Sequence, residues 1–218
     1  MKTSGTIGSG PAVPIVDKSM KIILATGNKN KLREVKEILP DAEVEGMSSD
    51  AEETGTTFRE NAEIKATDVF EKLAQQGIKD AYVLADDSGL VIDALNGEPG
   101  IYSARYMGED TSYDIKNQNL IDRLEGLEGS ERAARFVCAI CAIMPTGEKL
   151  FVEETMEGEI ANEIKGENGF GYDPILFLPE YGKNSAELSP EQKNAISHRG
   201  KALRKMASEI SFFESKSK

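Results

Sequence analysis

Val83-Leu84-Ala85-Asp86-Asp87-Ser88-Gly89-Leu90 runs an apolar strand directly into two adjacent carboxylates and then a glycine. Such a strand belongs in the interior of a sheet. In open α/β folds ligands gather where strands end, so the pattern puts Asp86 and Asp87 at a cleft mouth. Two acids there can hold a metal ion or take a proton from water. Taken alone, the same string also fits a turn capped by Asp86 and punctuated by Ser88-Gly89.

With 218 residues the chain can bury a core without disulfide staples. Its 39% hydrophobic and 29% charged content fits an ordinary folded protein and excludes a disordered one. The net charge of −12 disfavours a long contact with duplex DNA or an anionic membrane, while a small polyanion could still find a local lysine cluster. The longest apolar run, Phe136 to Met144, is too short for a membrane span, and no signal-peptide pattern opens the chain, so a cytoplasmic protein is expected. Cys138 and Cys141 form a C-x-x-C pair. On a strand, residues three apart point to opposite faces, so the sulfurs should diverge as two core thiols and make neither a redox pair nor a zinc site.

Residues 1–19 are rich in Ser, Gly, Thr and Pro and are expected to form a mobile extension outside the fold. Lys21 to Thr26 reads as a central strand closed by Gly27-Asn28, followed by a helix carrying Leu32, Val35, Ile38 and Leu39 and stopped by Pro40-Asp41. Thr57 and Glu60 have capping-box spacing, opening a second helix with Phe58, Ala62, Ala66, Val69, Phe70 and Leu73 on one side, to about Gly77. Strand 82–87 comes next, then a Gly/Pro-rich loop at 96–100 and a helix around 112–124. Phe136–Met144 and Lys149–Met156, joined at Pro145-Thr-Gly147, predict a hairpin. A Gly-rich loop at 166–171, a strand at 174–178 and a helical tail with Leu203, Met206, Ala207, Ile210 and Phe213 complete the chain. The order predicts an α/β fold, a mixed twisted sheet flanked by helices, with residues 20–218 as a single domain of two lobes around a central cleft.

Several clusters could carry chemistry. Thr26-Gly27-Asn28-Lys29-Asn30-Lys31 lies between a strand and a helix, where backbone N–H groups and the helix dipole favour an anion, although Asn28 or Asn30 could simply cap that helix. It is not a P-loop, since no Gly-Lys-Ser/Thr follows Gly27. Glu52 and Glu53 precede the second helix, where the dipole favours acids in any case; together with Asp86 or Asp87 they could supply oxygen ligands to Mg²⁺. Lys65, on the apolar side of that helix, either reaches the cleft or snorkels to water. Gly166 to Pro174 sets Phe170 between glycines and Asp173 before a proline, which suits a planar ligand as well as a plain turn. Ser189-Pro-Glu-Gln192 reads as a capped helix start with Lys193 in its first turns. His198, the single histidine, and Arg199 would ordinarily lie on the surface. Jointly these segments supply acids, cations and a stacking ring, the set a nucleoside triphosphate and its Mg²⁺ require.

Leu24-Ala-Thr-Gly-Asn28 with Lys31, Ala51-Glu-Glu-Thr-Gly55 followed by Thr57-Phe58 and Glu60-Asn61, Ala85-Asp-Asp-Ser-Gly-Leu90, Pro99-Gly-Ile-Tyr-Ser-Ala-Arg105, Gly169-Phe-Gly-Tyr-Asp-Pro174 and Ser197-His-Arg199 occur in that order. From about residue 21 to 210 the chain closely resembles the inosine triphosphate pyrophosphatase family, also called XTP/dITP diphosphatases. The resemblance implies hydrolysis of ITP, dITP and XTP to the monophosphate and pyrophosphate with Mg²⁺, Mn²⁺ being an alternative, and a homodimer. By the same resemblance, Thr26, Gly27, Asn28, Lys29, Asn30 and Lys31 would hold the triphosphate with Lys65, and Ser88 would touch substrate. Asp87 would be general base and metal ligand, with Glu52 as second ligand ahead of Glu53 and Asp86. Phe170, Gly171, Tyr172, Asp173, Lys193, His198 and Arg199 would enclose base and sugar and read a 6-oxo edge. The competing readings are a pyrophosphatase for other altered nucleotides and a nucleotide sensor without turnover.

Overall fold

The computed structural model describes residues 20–216; the expected extension at 1–19 lies outside them. In chain order the elements are β1 (Lys21–Ala25), α1 (Lys29–Ile38), β2 (Glu43–Met47), α2 (Phe58–Gln75), β3 (Tyr82–Ile92), α3 (Tyr113–Asp122), β4 (Ala133–Ile143), β5 (Lys149–Ile160), β6 (Leu176–Leu178), β7 (Lys183–Asn184), α4 (Pro190–Ile196) and α5 (His198–Lys216). The strands make a seven-stranded sheet in the order β2-β1-β3-β4-β5-β6-β7. β1 runs parallel to both β2 and β3, whereas β6 runs antiparallel to β5 and to β7, so the sheet is mixed. The expected α/β class is therefore observed. β4 and β5 are neighbours, and their turn is closed by Met144 N–H donating to the Glu148 carbonyl at 2.8 Å.

Two compact units divide the chain. The Phe170 unit holds Ser88–Val137 and Thr155–Ser197; the Asp87 unit holds the described residues up to Asp87, Cys138–Glu154 and the chain from His198 onward. The Phe170 unit has one core, built on Leu90, Ile92, Leu120, Leu124, Ile160, Ile175, Leu176 and Leu188. The Asp87 unit has two, because its strands are covered on both faces. Ile22, Leu24 and Leu84 pack with Val35 and Ile38 of α1 and Leu203, Met206 and Ile210 of α5. Ile23, Ala25, Val83 and Ala85 pack with Ala62, Ala66, Val69 and Leu73 of α2. Neighbouring residues of one strand thus enter different cores, as the period-two geometry of a strand requires. Cys138 and Cys141 obey the same rule: they sit in the two different clusters, and burial pushes both thiols up to about 12. They are core thiols.

Local sequence accounts for the helix starts. Asn28 caps α1, its Oδ1 accepting from Asn30 N–H at 2.9 Å and Lys31 N–H at 3.3 Å. Thr57 caps α2 through Glu60 N–H at 3.1 Å, but Glu60 reaches back to Thr56 N–H at 2.6 Å, so the predicted box closes one residue early. Ser189 and Gln192 form a complete box on α4.

The largest departure from expectation is at β3, which runs eleven residues, to Ile92, where the sequence suggested a stop at Asp87. Neither a turn nor a strand end occurs at Asp86-Asp87. Leu90 and Ile92 are buried in the next core, and continuing the alternation to reach it keeps Ser88-Gly89 extended. Two short strands escape the sequence reading: β2 is a half-exposed Glu-Val-Glu-Gly-Met edge, and β7 has only two residues.

Candidate active site

Adjacent positions on a strand face opposite ways, and Asp86 and Asp87 use that geometry to enter two unlike environments, both within the Asp87 unit. Asp86 shares the Leu84 face. Lys31 Nζ lies 3.2 Å from its Oδ2, and Arg199 donates to the same oxygen from Nε at 3.2 Å and from Nη2 at 3.0 Å. Arg199 also donates from Nη1 to Glu34 of α1, so a buried guanidinium is clamped between two buried carboxylates. Burial alone would raise the Asp86 pKa; Lys31 and Arg199 outweigh it and hold the carboxyl far below the usual aspartate range. Asp86 is thus a permanent anion already matched by fixed cations.

Asp87 shares the Val83 and Ala85 face, against α2. Lys65 Nζ donates to its Oδ1 at 2.8 Å, and the same ammonium lies 3.3 Å from Glu53 Oε1. Asn61, one helical turn before Lys65, donates from Nδ2 to Asp87 Oδ2 at 3.5 Å and accepts from Gly55 N–H at 2.9 Å, which ties the Glu53 segment to the strand. Here burial wins: it raises the Asp87 pKa despite the opposing pull of Lys65, and the Glu53 charge adds to the rise. At Lys65 the neighbouring charges win over burial. Burial disfavours its charge, but the carboxylates of Asp87 and Asp86 hold the proton on, and its pKa rises. A carboxylate with a raised pKa beside a persistent cation is a stronger proton acceptor than an ordinary aspartate.

Glu53 is the acid that meets Asp87 at Lys65. Glu52 is exposed, whereas the neighbouring side chain turns inward to Lys65. Among the described residues no group of three or more His, Cys, Asp or Glu forms a ready metal site. Glu53 and Asp87 nevertheless converge on a cation, Lys65, and their hard oxygen donors suit Mg²⁺, which keeps waters and substrate phosphates in its remaining positions.

The strand-to-helix loop is partly self-satisfied. Thr26 Oγ1 accepts from Asn28 N–H at 3.1 Å, and Asn28 takes the N–H groups of Asn30 and Lys31, so the capping role is filled. Gly27, Asn28 and Lys29 are exposed. Gly27 packs so close to Ser48 that an added Cβ would stand 2.9 Å from its Oγ. His198 and Arg199, expected on the surface, are both buried at the start of α5, and the Glu34 and Asp86 carboxylates explain why Arg199 can be.

In the Phe170 unit a second cluster forms on Asp173. Its Oδ2 accepts from Phe170 N–H at 2.8 Å and from Lys193 Nζ at 2.6 Å, and its Oδ1 accepts from Ser185 Oγ at 2.7 Å. Lys193 also stands 5.1 Å from the centre of the Phe170 ring. Phe170 is half-buried, while Tyr172 is buried within the apolar core. Gly171 keeps a φ of +68° and Gly169 one of +74°, backbone that side-chain-bearing residues rarely adopt. Ser88, half-buried, belongs to this unit.

Sequence reasoning missed Glu34 and Asn61 as site components. Asn61 carried a signal, being a polar residue one position before Ala62 on the buried side of α2; Glu34 carried none, since its partner Arg199 is 165 positions away.

Residues 22–209 match the Ham1 family. The chain belongs to that family. It is 45% identical over 193 residues to the dITP/XTP pyrophosphatase of Clostridium perfringens, covering 85% of this chain and 95% of that one. It is 48% identical over 192 residues to the dITP/XTP pyrophosphatase of Treponema denticola, covering 84% and 95%. The structure of the Staphylococcus aureus Ham1 protein superposes with a TM-score of 0.75 at 42% identity, covering 88% of this chain and 98% of that one. The resemblance stated from the motifs is thus borne out. No helix among the described residues is long and apolar enough to cross a membrane.

Proposed function

We propose that this Ham1 family chain hydrolyses non-standard purine nucleoside triphosphates, of the ITP, dITP and XTP kind, to the monophosphate and pyrophosphate, as a cytoplasmic homodimer. The observation that carries the reading is the geometry at Asp87, held between Lys65, Asn61 and Glu53, beside an Asp86 that Lys31 and Arg199 neutralise. Asp87 takes the proton of the attacking water as its oxygen bonds to phosphorus. The α–β anhydride bond breaks, and pyrophosphate leaves. Lys65 and Lys31, with Lys29 and the Thr26–Asn30 loop, balance the charge that builds on the leaving group. Glu53 and Asp87 are the residues that would hold Mg²⁺, or Mn²⁺ in its place, which when bound screens the phosphates and makes water easier to deprotonate.

Phe170 stacks on the base, and Ser88, Gly171, Tyr172, Asp173, Lys193, His198 and Arg199 contact base and sugar. Lys193 and Arg199 are held as donors by Asp173 and by Glu34 and Asp86, and a donor fixed by its neighbours suits a 6-oxo group. A 6-amino group would leave such donors unpaired, a mismatch worth roughly 10⁴-fold or more where hydrogen bonding decides.

The test is pyrophosphate release with Mg²⁺ from ITP, XTP, GTP, ATP and dUTP at low concentration. ITP and XTP should be turned over far faster than the others, with pyrophosphate and no orthophosphate as product. Equal rates with dUTP would point to a broader pyrophosphatase, and binding without product to a nucleotide sensor.

A further inference from the structure

The motif Pro99-Gly-Ile-Tyr-Ser-Ala-Arg105 and the buried polar face of α3 have no part in the chemistry above, yet both are attached to the Phe170 loop within one unit. On α3, Tyr113, Lys116 and Asn117 stand three and four residues apart, which places them on one side of the helix. The Tyr113 ring meets the Tyr172 ring edge-on at 5.2 Å between centroids. Lys116, almost wholly buried, donates from Nζ to the Ala104 carbonyl at 2.9 Å. Asn117, equally buried, donates from Nδ2 to the Gly171 carbonyl at 3.1 Å. From the other side the Tyr172 hydroxyl donates to the Ser103 carbonyl at 2.6 Å. Ser103 is in turn fixed to β3, its Oγ accepting from Leu90 N–H at 2.9 Å and donating to Gly100 O at 2.6 Å.

Two glycines with positive φ flank Phe170, whose N–H donates to Asp173 within the loop. The Gly171 carbonyl is held from outside by Asn117. That amide is not there for packing: among the described residues its buried Oδ1 has no hydrogen-bond partner, a cost that a leucine at the same place would avoid. Turning the amide over would set oxygen against oxygen at Gly171, so the donor must face the loop.

We propose that Asn117 is a positioning residue for base recognition. Its carboxamide fixes the Gly171 carbonyl and, with the Tyr172–Ser103 bond, sets the height and tilt of the Phe170 ring against the base. The inference rests on the reading of the Phe170 loop as the base site.

The experiment is steady-state pyrophosphate release from ITP and ATP by the wild type, Asn117→Ala and Asn117→Asp, with thermal unfolding of each. Asn117→Ala should raise KM for ITP about five- to tenfold, the size of one lost hydrogen bond, while kcat stays within about twofold; the preference for ITP over ATP should narrow by a similar factor. Asn117→Asp keeps the shape and replaces the donor by an anion. Its KM relative to wild type should be raised near pH 8 and fall back toward about pH 6 as a buried carboxyl regains a proton to donate. A purely structural role would lower the melting temperature and the apparent kcat and leave KM unchanged; that result, or unaltered kinetics in both variants, overturns the proposal. If Asn117→Ala does not fold, the Asp variant decides alone, and a KM ratio independent of pH overturns the proposal. A wild type that releases no pyrophosphate from ITP fails differently: it removes the base-site reading itself and this inference with it.

Discussion

Asp86 and Asp87 are consecutive, equally acidic and both buried, yet the two sides of one strand give them opposite chemistry. On the α1/α5 side, Asp86 meets Lys31 and Arg199 and is fixed as an anion; on the α2 side, Asp87 meets one lysine that it shares with Glu53, and burial raises its pKa. The difference shows that residue type does not set a carboxylate's role here. The ratio of fixed cations to buried anions on each face does. Asp86 is held by two cations, while Asp87 shares one with Glu53, which is the environment the proposed base requires.

The comparison breaks most readily at Asp87. Asp87→Asn should reduce turnover by roughly 10²- to 10⁴-fold while the protein stays folded, since the amide keeps the shape but cannot take a proton; pyrophosphate release and a melting curve on one sample check both halves. Asp86→Asn should do the reverse. Leaving Arg199 and Lys31 without their anion costs about 3–5 kcal/mol of stability, read from urea titrations at neutral pH. The pH dependence has a definite sign. Because the folded pKa of Asp86 is depressed, its contribution is complete above the ordinary aspartate value and is lost as pH falls toward the folded value, so wild-type stability should decline below about pH 4 and the Asn variant should lose less there.

Lys65→Met sharpens the Asp87 side. Lys65 lowers the pKa of Asp87, so removing it should raise that pKa further and move the acid limb of the kcat/KM profile upward by about one pH unit. Smallest is Thr57→Ala, which removes the cap of the helix carrying Asn61 and Lys65; a loss of about 1 kcal/mol in stability with kcat little changed is expected from unfolding curves and turnover.

Much of this is legible in the sequence alone. The mixed α/β order, the Thr57 cap, the diverging cysteines and the motif segments that carry Asp87, Lys65 and Phe170 all follow from short-range patterns, because strand period, helix period and capping are local rules. The path of β3 was misread for a physical reason: Ser88-Gly89 resembles punctuation, but the buried Leu90 and Ile92 draw the strand through it. That Glu53 and not Glu52 meets Lys65 has no local signal, because two adjacent acids ahead of a helix look alike until one turns inward. Glu34 and Asn117 lay beyond reach, since a Glu or Asn in a helix looks like a surface residue until Arg199 and Gly171, far along the chain, arrive beside it.

The division between the two aspartates can be measured directly by carboxyl ¹³C NMR titration of the metal-free protein, with the two resonances assigned from the single Asn variants. Asp87 should titrate above the ordinary aspartate value, and Asp86 should show no protonation down to the pH at which the protein unfolds. An Asp87 that titrates below Asp86 would contradict the account.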